Sequence, residues 1–107
     1  MQRQGVELRA RRRERVGAIA PGVVAFVGRL PGYEEVVVLD HGGGYISLTG
    51  RLVGVRVREG QELRQGEMLG RPAPKTARDG LGRTVYLEVR HAERPVDPTS
   101  YLARPQD

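Results

Sequence analysis

The 107-residue chain has 15 glycines, 7 prolines and no cysteine, and its 18 basic against 13 acidic side chains leave a net charge of +5. That length supports one hydrophobic core rather than two, the missing cysteine excludes a disulfide framework and a thiolate metal site, and no apolar run approaches the roughly 18 residues of a membrane-spanning helix. The positive charge is almost all arginine, with Lys75 the only lysine, and favours acidic partners without choosing among them.

Residues 1–15 form an Arg-rich strand or loop. Gln4 to Leu8 suits a short strand, and Arg9 to Arg15 is either a phosphate-binding run or, as the preferred reading, a solvated loop or frayed terminus. No aromatic residue interrupts the run to stack on bases, which argues against nucleic acid. The stretch also lacks the apolar segment of a signal peptide, so an export signal would lie outside this sequence.

Short Val/Leu/Ile runs punctuated by Gly and Pro then predict an all-β domain. Val16 to Ala20 and Val23 to Val27, joined at Pro21-Gly22, read as a hairpin. Leu30 to Tyr33 turns the chain, Glu35 to Asp40 reads as a central strand buried on both faces, and Tyr45 to Thr49 returns after the reversal at His41 to Gly44. Arg58 to Leu63 is followed by the near-copy Arg64 to Leu69, each copy placing a glycine three residues before a core-plugging leucine, and this predicts a double corner. Residues 71–83 read as a polar Pro/Gly-rich loop that could cover a cleft.

The strongest late strand signal is Thr84 to Arg90. Alternation puts Val85, Leu87 and Val89 on a core face and Thr84, Tyr86, Glu88 and Arg90 on an opposite, working face. Tyr and Arg are enriched at binding hot spots, so Tyr86 and Arg90 are candidates for partner contact. The bland alternative is a solvated face on which Glu88 pairs with Arg90. The tail, Arg94 to Pro98 with Tyr101-Leu102, is expected to pack on the sheet, leaving residues 103–107 as a terminal appendage.

The ordered set Ala20-Pro21-Gly22-Val23-Val24, Gly32-Tyr33, Val36 to Gly42, Gly44-Tyr45, the double corner, Leu87-Glu88-Val89-Arg90 and Pro95-Val96-Asp97-Pro98 resembles the LytM, or lysostaphin-type, metallopeptidase family across residues 5–102. The resemblance implies a single-domain, open β-sandwich or barrel of antiparallel strands with a central cleft. It also implies a zinc ion held by His and Asp near the start of the domain and by the second His of a late His-x-His, with further histidines assisting the attacking water. Carried over by position, the early His and Asp fall on Arg3 and Glu7, the middle His on Arg51, and the His-x-His on Thr84 and Tyr86. A catalytic zinc needs typically three protein ligands; Arg3 stays charged, Tyr86 is protonated near pH 7 and a rare zinc ligand, and Glu7 alone is not a site, so no metal, no cofactor and no hydrolysis are expected. His41 reads as a turn-stabilising residue and His91 as a surface one.

Tyr-x-Glu-x-Arg in place of the His-x-His sequence resembles the EnvC type. That resemblance implies a periplasmic or otherwise extracytoplasmic module that activates a cell-wall amidase by binding its inhibitory helix in the vacated cleft. The groove would comprise Arg3, Glu7, Arg9, Arg51, Thr84, Tyr86, Glu88 and Arg90. The alternative is a scaffold whose cleft holds peptidoglycan or another envelope protein. A relocated metal site is disfavoured by two histidines far apart, and a biotinyl- or lipoyl-type carrier by the position of Lys75 in a long Pro-flanked loop.

Overall fold

The computed structural model describes residues 5–74 and 83–91, and the backbone of 94–96. Every regular element among them is a strand: β1 (Val6–Arg9), β2 (Val16–Gly17), β3 (Gly22–Leu30), β4 (Glu34–Gly42), β5 (Tyr45–Val53), β6 (Glu62–Leu63), β7 (Met68–Pro72), β8 (Thr84–His91) and β9 (Arg94–Val96). The main sheet runs β1-β8-β5-β4-β3-β6, all antiparallel, with β9 beside the end of β8 and β7 linking β5 to β2. The all-β, antiparallel expectation therefore holds.

The core lies on one face of this sheet. Val24, Val37, Leu39 and Val85 meet Ala18, Leu52, Leu63 and Leu69, with Val16, Val55 and Val57 packed at the rim. The double corner supplies the cover as its repeat foretells. Gly60 and Gly66 take φ of 88° and 85°, a region where a side chain is strained, and three residues after each comes a buried leucine, Leu63 or Leu69. Strand β4 is buried on both faces at Val36 and Val37, as its continuous apolar run predicts.

The expected hairpin between 16–20 and 23–27 does not form. Val16 and Gly17 pair instead with Gly70 and Met68 of β7, while β3 pairs with β4 and, at Gly22 and Val23, with β6. Ala18 clamps the corner, its N–H donating to the Glu67 carbonyl and its own carbonyl accepting from Gly66. A two-residue strand cannot bury its apolar side chains against a local partner, and the corner behind it can. The expected 71–83 loop starts later than read, since Arg71 and Pro72 belong to β7 and pair with Val53 and Leu52 of β5; residues 75–82 and the tail from Asp97 onward lie outside the described residues.

Candidate functional site

The other face of the sheet is organised in rows, because paired residues of antiparallel strands point the same way. One row reads Glu7, Tyr86, Gly50 across β1, β8 and β5. The next reads Glu88, Leu48, Val38, Phe26 across β8, β5, β4 and β3, and the third Arg90, Ile46, Asp40, Val23. Phe26, Ile46 and Val23 are exposed and Val38 and Leu48 half-buried, so these rows form an open apolar floor.

Strand β5 makes this floor by running inside out. Ser47 and Thr49 are buried on the core side, at 1% and 4% exposure, while Ile46 and Leu48 face outward. The inward hydroxyl of Ser47 is satisfied by His41, whose Nε2 lies 2.7 Å from Ser47 Oγ while Nδ1 donates to the Pro21 carbonyl at 2.7 Å. His41, on β4, thus ties the residue preceding β3 to β5. His91 serves the same reversal from the other side, donating from Nε2 to the Gly43 carbonyl at 3.1 Å and stacking on Tyr45.

At the end of the first row, Arg51 has φ of 60°, a conformation that costs a non-glycine residue about 1–2 kcal/mol. Its N–H donates to the Tyr33 carbonyl and its carbonyl accepts from Ala73. The left-handed residue breaks the alternation of β5, so Leu52 enters the core and the Arg51 side chain turns to the outer face. There Nε and Nη2 donate to the two oxygens of Glu7 at 2.9 and 3.1 Å, a bidentate bridge reaching across β8. Thr84 Oγ1 donates to the same carboxylate at 2.9 Å. The guanidinium also lies 5.5 Å from the Tyr33 ring centroid, and Tyr33 in turn packs against Tyr86 at 4.8 Å.

Glu7, Arg51, Thr84 and Tyr86, which the family resemblance brings together, therefore do converge. The exposed working face expected along all of β8 does not. Thr84 is 6% exposed, and Tyr86 is 2% exposed because Tyr33 packs on its ring and Gly5 closes on it; a Cβ at Gly5 would fall 2.7 Å from Tyr86 Cζ. Tyr86 is thus not a surface available for partner contact, and its hydroxyl donates to Glu88 Oε1 at 2.7 Å. Glu88 Oε2 accepts from Arg90 Nε, so the Glu88–Arg90 pairing of the bland reading is present, and Arg90 keeps 41% of its side chain open. Arg9 is exposed at the end of β1 and borders a separate cleft with Leu8, Arg15 and Val85. Arg3 lies outside the described residues.

Gly5, Tyr33 and the apolar floor were missed by the sequence reading. Tyr33 is legible only as part of the Gly32-Tyr33 turn motif, since its place over Tyr86 depends on the β3–β4 turn folding back. The floor did have one: Tyr45-Ile46-Ser47-Leu48-Thr49 alternates cleanly, but alternation does not say which face is inside. No three His, Asp or Glu side chains gather into a possible metal site among the described residues.

Comparison with known proteins places these features in a family. The profile described as Peptidase family M23 matches residues 1–98. The chain is 34% identical to the Escherichia coli protein named Murein hydrolase activator EnvC, over 94% of this chain and 24% of that protein. It is 31% identical to the Pseudomonas aeruginosa protein named Lipoprotein NlpD/LppB homolog, over 94% of this chain and 33% of that one. It thus spans a third or less of either relative. In structure it is similar to a putative peptidase M23 from Pseudomonas aeruginosa, with TM-score 0.81, 25% identity and coverage of 96% of this chain and 44% of that one. The catalytic domain of lysostaphin from Staphylococcus simulans, at 16% identity and TM-score 0.79 over 95% of this chain and 80% of that one, shares the fold.

Proposed function

Because the chain belongs to Peptidase family M23, we propose that it is a non-catalytic LytM domain, a regulatory module that activates a peptidoglycan amidase by binding its inhibitory segment. The observation that carries this reading is the Arg51–Glu7 bridge. It fills the positions that correspond by resemblance to the family's zinc and catalytic side chains, and both Glu7 oxygens are already engaged by a guanidinium and a hydroxyl. This donor set does not fit a catalytic zinc, which needs neutral imidazoles or free carboxylates and an open position for water.

The floor beside the bridge is suited to binding instead. Phe26, Val38, Leu48 and Ile46 offer apolar area, and Arg90 stands at their edge to meet a carboxylate. An amphipathic helix laid across the sheet would bury its apolar side on these residues and direct an acidic side chain to Arg90. Relatives whose names include a murein hydrolase activator and lipoproteins support a role in the cell envelope and an extracytoplasmic location.

The test is dye release from purified cell-wall sacculi by the domain, an amidase, and both together. Release only with both supports activation. Release by the domain alone, abolished by chelation, would overturn the non-catalytic reading. No release in any tube, with an amidase known to respond to another activator, would reject activation in favour of a peptidoglycan-binding or envelope scaffold.

A further inference from the structure

The arginine-rich run after β1 is not used by the site described above. Among the described residues it is an ordered turn, not a frayed end: Glu14 N–H donates to the Arg11 carbonyl and Arg11 N–H to Glu14 Oε1, both at 3.0 Å. Arg71 of β7 donates from Nη1 to the Arg13 carbonyl at 2.8 Å, anchoring the turn to the layer that covers the core. Arg71 and Arg56 in turn line an open groove of about 530 Å³ whose floor includes Val57, Met68 and Leu69.

We propose that Arg11, Arg12, Arg13, Arg15, Arg56 and Arg71 form a docking surface for an anionic phospholipid bilayer. All six are exposed, and none is in an ion pair with another described residue. The one carboxylate within the turn, Glu14, has an oxygen committed to the Arg11 amide. Guanidinium groups spread over a turn and a groove rim, with Arg71 tied to Arg13 and sharing the groove with Arg56, fit many separate phosphates better than one small anion. The described aromatic residues, Phe26, Tyr33, Tyr45 and Tyr86, belong to other parts of the fold, so the patch offers no stacking platform for bases. Half-buried Val57 and Met68 line the same groove as Arg56 and Arg71 and supply apolar area beside them.

The test is flotation of the full chain with vesicles of phosphatidylcholine alone and with vesicles in which a third of the lipid is phosphatidylglycerol. Binding is expected only to the anionic vesicles, falling as salt rises, since each arginine near such a surface is worth about a fivefold change in partition. The R56Q/R71Q variant should bind about 25-fold more weakly by the same reckoning. Because Arg71 also anchors the turn, R12Q/R13Q serves as the second variant: it leaves the bond to the Arg13 carbonyl available and should show a similar loss. Equal partition to neutral vesicles, or unchanged binding by both variants, would overturn the proposal. So would displacement by inorganic phosphate at constant ionic strength, which indicates a single-anion site, or tighter binding to duplex DNA at the same salt.

Discussion

Arg51 holds Glu7 by two hydrogen bonds of 2.9 and 3.1 Å, from a backbone conformation normally left to glycine. The strained arginine of β5 thereby fastens the edge strand β1 across β8, a cross-link that bonding between neighbouring strands cannot provide. Both side chains are 20% exposed, so the bridge is screened only in part.

A double-mutant cycle on Arg51→Ala and Glu7→Gln is expected to give a coupling energy of about 1–2 kcal/mol in urea unfolding, within the range for contacting charged pairs. Coupling within error of zero would mean that the bridge contributes nothing beyond its separate parts.

Tyr86 acts on stability rather than directly on binding. Truncating a buried aromatic ring removes transfer energy and leaves a cavity, so Tyr86→Ala should lower stability by about 3–5 kcal/mol. Tyr86→Phe keeps the ring and loses the hydroxyl's bond to the Glu88 carboxylate, at a cost of about 1.5–3 kcal/mol. An alanine variant as heat-stable as the parent would show that the ring is not packed as described.

Opposite behaviour is expected on the floor. Ile46→Ser and Phe26→Ser alter exposed side chains and should shift stability by under about 1 kcal/mol, whereas each should weaken binding to a partner helix by more than about 1 kcal/mol. Arg90→Ala should do the same through charge. Calorimetry with a synthetic inhibitory segment separates the cases, and unchanged affinity in all three variants would remove the floor as the docking site.

Zinc gives a further check. A metal bound only by the folded state raises the melting temperature by mass action, so a chain without a site should melt at the same temperature in excess zinc and in chelator. A rise with zinc that is lost in Glu7→Gln would place a metal at the bridge after all.

In the core, Val37→Asp should unfold the domain, since it places an unpaired charge where exposure is 0%. A cooperative melting transition for this variant would contradict the assignment of β4 to the centre of the sheet.

The sequence alone determined the fold class, the double corner and the central placement of β4. These rest on local chemistry: glycine at positive φ, leucine three residues later, and apolar runs of strand length. Only the tertiary structure decided three other things. Ser47 and Thr49 point inward and Ile46 outward because strand register and cross-ties such as His41–Ser47 choose the buried face, and a period of two is equally satisfied either way. Tyr86 is covered because Gly5 and Tyr33, 81 and 53 residues away along the chain, close over it. The short β2 strand finds β7 and not β3 because burial against the corner outweighs sequence proximity. Each outcome depends on contacts between residues distant in the chain, which local pattern does not encode.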